Sequence, residues 1–520
     1  MFISKPVLIF IGFMYIAGLF FHLGYKPFNS KESKYAIASI ESSYNSNYLN
    51  PSVIGKPFIE HPPLYIILES LIFHLTKPSE FSARLISVFS FLAIGWLIQV
   101  SILDIVGFEA SLFAAVGFLV SFGIYYSISA TPYALFSFFI FLSMISVFLF
   151  EKSGVLVGCI LTFLAFSTYG FSSFVFFYLF LLVYGYLDSK ARQYILSKEH
   201  LLGIIISLFA MVLYFLLISK GNIHKINYIL GFFIIIPFKN LLSSMSISNV
   251  LTHSITSLLK AFYYSLPFSF IFFTLFKKEF RSEFIFLIKD NKRIKRLIVF
   301  LTSAFLPNFF LFSFLPNTEF DTYVWLVAFM AMFAGVLFYE VEYMETLFDF
   351  KKIAYIAFFA FFILSLFCFI FDLEFINSKD YLILGAILIV SVIFFPIVKR
   401  IQDNLSAMFV LLVLLSILCK FLYSSSYVAY IKNYQRDYEK YANGIARIVL
   451  KNKPEYVMSD GGNLKLFFYL ERKLKMPIYS FKNNRYGIVI TKNRQRVAIL
   501  KGAIDTPNGV YYIGIKNGGV

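Results

Sequence analysis

Apolar runs of bilayer-spanning length recur along this chain from Pro6 almost to residue 422, and that repetition decides its class. A helix needs roughly 20 apolar residues to cross the hydrocarbon core of a membrane. Runs of this kind, some a little shorter, stand at residues 6–24, 84–103, 110–128, 132–150, 154–168, 171–187, 201–219, 262–276, 297–315, 323–339, 353–371, 381–397 and 405–422. They make about thirteen candidate spans. Hydrophobic residues are 59% of the 520 residues and charged ones only 14%. No soluble enzyme, disordered chain or fibrous repeat carries that composition. The sequence predicts a polytopic α-helical membrane protein.

Lysine and arginine orient the spans. With the N-terminus cytoplasmic, the inside loops include 188–200, 277–296, 340–352 and 398–404. The second of these alone carries Lys277, Lys278, Arg281, Lys289, Lys292, Arg293, Lys295 and Arg296. Such clusters on one side satisfy the positive-inside rule. An odd number of spans puts the C-terminus outside. The first run lacks a small-residue cleavage site, so it reads as an uncleaved first span. The net charge of +17 belongs to topology and lipid headgroups rather than to nucleic acid, for which no motif is present. Cys159, Cys368 and Cys419 each sit inside an apolar run and read as small buried hydrophobes.

Two long segments interrupt the short loops, 25–83 and 423–520. The division expected is a membrane domain over residues 1–423, including the loop 25–83, and an extracytoplasmic domain over 424–520. The latter holds 17 Lys and Arg against 6 Asp and Glu, a balance that suits an anionic lipid or saccharide partner as well as simple solubility. Its pattern predicts a helix over 428–450, a strand at 456–459, a turn at Gly461-Gly462, a helix over 464–473 and four further strands near 477–481, 486–491, 496–500 and 510–515, a small α/β domain. Residues 220–261 read as interfacial or re-entrant helices.

The first loop holds the unusual residues. Asn29 is placed to cap a helix with Glu32 three residues on, and Ala36, Ile37, Ile40 and Tyr44 mark an amphipathic helix on the membrane surface. Pro62 and Pro63 open a second one, with Leu64, Ile67, Leu68, Leu71, Ile72 and Leu75 at helical spacing. An extended segment carrying Glu60 and His61 joins them. Two carboxylates and an imidazole at the water–lipid boundary are suited to bind a divalent cation and to act as a base. Glu32 serves equally as a plain helix cap, and Glu60-His61 as an exposed polar pair.

This loop resembles the polyprenyl-phosphate-dependent membrane glycosyltransferases of the C type, nearest the bacterial lipid A aminoarabinose transferases and their protein O-mannosyltransferase-like relatives. The strings are Lys31-Glu32-Ser33-Lys34-Tyr35-Ala36, Gly55-Lys56-Pro57-Phe58-Ile59-Glu60-His61-Pro62-Pro63-Leu64 and Ala83-Arg84-Leu85-Ile86-Ser87. Phe312-Ser313 with Thr322-Tyr323, and Phe468-Tyr469-Leu470-Glu471-Arg472, resemble later segments of the family. The family's catalytic Asp falls at Lys31, a second Asp near Tyr133, its Lys-Gly at Tyr169-Gly170, and the Lys after the loop Glu at His61.

The resemblance implies a C-type glycosyltransferase fold in the bacterial inner membrane. It implies transfer of a sugar from a polyprenyl-phosphate donor to an envelope acceptor such as lipid A, a glycolipid or a protein. Glu32 would be the catalytic base. Lys31, Lys34, Tyr35, Lys56, Arg84 and Tyr323 would bind the donor phosphate, and Glu60 with His61 a divalent metal ion. The lost Asp positions also admit a non-catalytic member of the fold that binds lipid-linked sugars. A transporter of lipid-linked saccharides is a further reading.

Overall fold

The structure is a computed structural model. Apart from isolated positions, it describes residues 23–220 without Tyr25, then 247–314 without Pro267, 324–343, 437–481, 487–506 and 509–516. The spans expected at 6–24, 353–371, 381–397 and 405–422, and Tyr323, lie outside the described residues.

In chain order the helices and strands are α1 (Ser30–Asn45), β1 (Ser52–Val53), β2 (Lys56–Pro57), α2 (Leu64–Leu75), α3 (Glu80–Val120), α4 (Phe122–Ser127), α5 (Tyr133–Tyr169), α6 (Ser172–Leu187), α7 (Ser189–Ile195), α8 (Lys198–Ser219), α9 (Ile247–Tyr264), α10 (Lys278–Asp290), α11 (Lys292–Phe314) and α12 (Val324–Tyr343). They continue with α13 (Asp437–Lys451), β3 (Val457–Ser459), α14 (Leu464–Leu474), β4 (Ile478–Ser480), β5 (Ile488–Thr491), β6 (Val497–Ile504) and β7 (Tyr511–Lys516). The chain divides into two compact units. The first is Met1–His22, Ser87–Ile128 and Pro132–Tyr427; the second is Leu23–Ile86, Ser129–Thr131 and Val428–Val520.

Within the first unit, among the described residues, α3, α5, α8, α11 and α12 contain stretches long and apolar enough to cross a membrane. The chain is a multi-pass membrane protein. α3 and α5 are each two helices joined by a turn. α3 breaks at Gly107 (φ +79) and α5 at Glu151 (φ +54). The halves fold back on one another. A Cβ added at Gly95 would lie 2.7 Å from Leu119, and the Ser146 hydroxyl donates to the Gly154 carbonyl at 2.9 Å. The span pairs 84–103 with 110–128 and 132–150 with 154–168 are thus both present, shifted by a few residues. The expected span 262–276 is not one helix: α9 ends at Tyr264, and a 3₁₀ segment runs from Phe268 to Phe276.

Three segments that the charge rule assigns to one side meet at one end of this unit. Arg296, from the basic loop, pairs with Glu151 at 3.1 Å, and Tyr184 and Tyr194 face the same guanidinium. Aromatic packing fills the interior: Trp325 is buried, with Phe176 and Phe329 rings at 5.6 and 6.1 Å.

The second unit joins the first loop to the C-terminal segment. Its main sheet has the order β4-β3-β5-β7-β6. β3 is parallel to both β4 and β5, while β7 runs antiparallel to β5 and β6. α13 and α14 pack together beside it. Every strand expected in this domain is found within a few residues of its place.

α1 departs from expectation. It is not a surface helix with one wet face. Residues from Glu32 to Ser42 are buried on almost every side, because α2 and α14 both pack against it. α2 buries Tyr65, Ile66, Glu69, Ser70 and Phe73, carrying two polar side chains into the interior. Its apolar stripe is left open, with Leu71 and Leu75 54% and 79% exposed. An interfacial helix requires that arrangement, since the stripe is what enters lipid.

Candidate functional site

The site begins with the cap of α1. The Asn29 side chain accepts the backbone N–H groups of Lys31 and Glu32, both at 2.9 Å, and the Glu32 carboxylate accepts Asn29 N–H at 2.9 Å. This is the reciprocal cap that the sequence predicts. It also turns the Glu32 side chain inward, onto Arg84. Glu32 Oε1 accepts Arg84 Nε–H at 2.8 Å and the backbone N–H of Ala130 at 3.0 Å. Arg84 Nη2 donates to Glu32 Oε2 at 3.1 Å and to the Pro27 carbonyl at 3.5 Å, and Nη1 to the carbonyls of Leu23 at 2.8 Å and Lys26 at 2.6 Å. Glu32 is 0% and Arg84 1% exposed. Burial alone would raise the Glu32 pKa, but Arg84, the charge of Lys26 and the Asn29 N–H outweigh it and hold the carboxyl below its ordinary value.

Two expected site residues thus have their polar atoms engaged inside the protein: both oxygens of Glu32 are held by Arg84, Ala130 and Asn29, and the Arg84 guanidinium is enclosed by Glu32 and main-chain carbonyls. The pair ties α1, the start of α3 and the turn at residues 129–131 into one frame.

The remaining expected residues separate into two groups. Tyr35 is buried, its ring 6.1 Å from His61 and stacked on it, with Phe58 and Tyr65 edge-on. Lys31 is exposed on the first turn of α1. Lys34, Lys56 and Glu60 come together at a cavity of about 340 Å³. Its walls are Val53, Ile54, Pro57 and Phe58 from the β1–β2 hairpin region, and Gly461, Gly462 and Leu464 from the C-terminal segment. Lys34 Nζ donates to Glu60 Oε1 at 2.5 Å, with both side chains well exposed. A cavity with two ammonium groups, one carboxylate and a non-polar lining suits a phosphorylated ligand that also carries apolar surface.

The donor set fits a metal ion poorly. Glu60 already faces the ammonium of Lys34, and the His61 ring lies against Tyr35. Among the described residues, no three His, Cys, Asp or Glu side chains group as a metal site would. Tyr133, where the resemblance sets a second Asp, is buried with its ring 5.7 Å from Tyr169.

Three carboxyls behind the cavity were not anticipated. Glu41 accepts from the Ser52 hydroxyl, from Ile54 N–H at 2.5 Å and from Gly55 N–H at 3.4 Å, and so fixes the hairpin. It faces Glu471 of α14 in the interior. Burial raises both carboxyls, and the Glu41 charge adds to the rise at Glu471. Glu69 is fully buried and accepts from the Ser39 hydroxyl at 2.6 Å; burial pushes it up to about 8 against the hydrogen bonds from Ser39 and Tyr65. The sequence carries one signal of this: α1 is too polar to be buried without partners, having Ser33, Ser39, Glu41 and Ser42 within ten residues of Glu32.

Comparison with solved structures places this architecture. ArnT from Cupriavidus metallidurans bound to undecaprenyl phosphate superposes with a TM-score of 0.67 at 14% identity, covering 99% of this chain and 99% of that one. The chain has the ArnT fold. The apo state of ArnT gives a TM-score of 0.68 at 13% identity over 98% of each chain. No family model matches the sequence. No curated protein matches it either. The likeness to ArnT is therefore one of fold, carried from end to end, and it agrees with the C-type glycosyltransferase architecture expected from the first loop.

Proposed function

We propose that this protein is a glycosyltransferase of the bacterial inner membrane, with its N-terminus cytoplasmic and its C-terminal domain extracytoplasmic. It takes a sugar from a polyprenyl-phosphate donor and passes it to an envelope acceptor: lipid A, a glycolipid or a protein. The observation that carries the reading is the end-to-end likeness to ArnT bound to undecaprenyl phosphate. The basic cavity of the second unit and the motifs of the first loop support it.

In this reading Lys34 and Lys56 receive the donor phosphate, and exposed Lys31 adds positive charge nearby. Arrival of the phosphate draws Lys34 away from Glu60, which frees a carboxylate. Glu60 then accepts the proton of an acceptor hydroxyl. The acceptor oxygen bonds to the anomeric carbon as the bond from that carbon to the phosphate oxygen breaks. The bonding electron pair leaves with the phosphate, whose growing charge the lysines offset. An acceptor that is itself a phosphate needs no base. Tyr35 holds His61 by stacking and so shapes the segment beside Glu60. Tyr323 stays a candidate phosphate ligand, on the resemblance alone.

The lysine at residue 31, where the first-loop resemblance sets the family's Asp, and the sequestered Glu32 favour a second reading, a protein that binds the sugar-lipid without turnover. One experiment separates the two. Membranes containing the protein are given radiolabelled polyprenyl-phosphate sugar, and transfer and retention are measured for the parent and for Glu60→Gln. Transfer lost in the variant supports the enzyme. Retention without transfer in the parent supports the binder. Neither retention nor transfer removes both.

A further inference from the structure

We propose that the C-terminal α/β domain forms the subsite for the donor's sugar ring, through the loop at residues 460–463 and Leu464. This rests on the donor reading above and goes beyond it, since that reading gives the domain no part in the chemistry.

The sheet topology puts the loop where ligands bind. β3 lies between β4 and β5 and is parallel to both. The chain leaves β3 through α14 to reach β4 on one side, while β5 pairs on the other. The order of strands thus reverses at β3, and such a switch point opens a crevice beyond the carboxyl ends of the strands. Residues 460–463 are the segment that follows that end of β3. The crevice is not empty of function on its far side: Gly461, Gly462 and Leu464 line the same cavity as Lys34, Lys56 and Glu60.

The loop is pinned from behind. Asp460 accepts from the Thr491 hydroxyl at 2.5 Å and from Arg496 at 3.0 Å. The Tyr511 hydroxyl accepts Asn463 N–H at 3.2 Å, and the Ser459 hydroxyl accepts Gly461 N–H at 3.1 Å. The Asp460 side chain is thus held against β5 and Arg496, and the Asn463 side chain caps α14 by accepting Lys465 N–H at 3.0 Å. At Gly461 (φ +106) a Cβ would meet no atom within 4 Å, so the space in front of it is open. Glycine there lets a ligand approach the backbone directly.

The cavity, of about 340 Å³, has room for a phosphoryl group with one sugar ring. The ring bonded to the phosphate is the sugar to be transferred. With the phosphate on Lys34 and Lys56, that ring meets Gly461, Gly462 and Leu464.

The test uses the full-length protein in lipid nanodiscs, with Gly461→Asn to fill the open space and Leu464→Ala to enlarge it without touching a positive φ. Affinities are measured for bare undecaprenyl phosphate and for undecaprenyl phosphates carrying glucose, mannose or 4-amino-4-deoxyarabinose. Each variant is expected to change affinity for the sugar-bearing lipids, or their rank order, by about tenfold, the scale of one misplaced group in a pocket. Affinity for the bare lipid stays as in the parent. Equal changes on bare and sugar-bearing lipids, or no change on either, overturn the subsite. So does an effect confined to acceptor KM. If the parent protein binds neither kind of lipid, the donor reading fails and the subsite with it.

Discussion

Arg84 grips Glu32 with two nitrogens, Nε to Oε1 at 2.8 Å and Nη2 to Oε2 at 3.1 Å, and neither residue reaches solvent. A buried pair of this kind is weak evidence for stability by itself, but removing one partner strands a charge. Arg84→Met or Glu32→Gln is expected to destabilise the protein by roughly 3–5 kcal/mol. The double replacement is expected to cost less than the two single ones together. Thermal unfolding in detergent measures this. Additive losses would show that the two residues act separately.

Acid should act through the same carboxyl. The folded state holds Glu32 below its ordinary value, so its contribution to stability is complete above about pH 4.5 and is lost as pH falls through the lower folded-state value. A melting profile against pH should fall on the acid side for the parent and flatten there for Glu32→Gln.

Glu69 has the opposite sign. Its carboxyl is raised to about 8 in the fold, so stability is full below the ordinary value of 4.5 and declines as pH rises towards 8. Glu69→Gln keeps the hydrogen bond from Ser39 while abolishing the titration. The variant should lose the decline between those limits, read as melting temperature against pH. A decline that persists assigns it elsewhere.

Glu60 and Lys34 make an exposed pair, and such pairs contribute about 0–1 kcal/mol. Glu60→Gln should leave the melting temperature near that of the parent. If Glu60 is the base, transfer to a hydroxyl acceptor should fall by about 10²–10⁴. Lys56→Ala should chiefly raise KM for the sugar-lipid. A Glu60→Gln protein that turns over at the parental rate removes the base from the mechanism.

Much of this architecture is written in local pattern. Spans are legible because hydrocarbon thickness dictates run length, and the turns near Gly107 and Glu151 fall where charge or glycine interrupts apolar sequence. The Asn29 cap is legible because its two partners are three residues apart. The strands of the second unit are legible from their β-branched and aromatic residues. What escapes is every pairing between distant segments. Nothing near Arg84 says that its partner is Glu32 rather than a phosphate, and nothing near Glu60 says that Lys34 will sit on it. The apolar stripe of α2 marks its lipid-facing side, but nothing in its periodicity says that Glu69 and Ser70 on the other side will find hydrogen-bond partners on α1.

The second unit is assembled from three pieces of chain, and Glu41 meets a partner about 430 residues downstream. At about 5–20 residues per second, a ribosome needs between roughly 20 and 90 seconds to make the stretch between them. During that interval the newborn first loop has its serines and carboxylates but not the helix that shelters them. Maturation of the loop is thus timed by the tail of the polypeptide, and a nascent chain arrested before residue 471 would hold it unfinished.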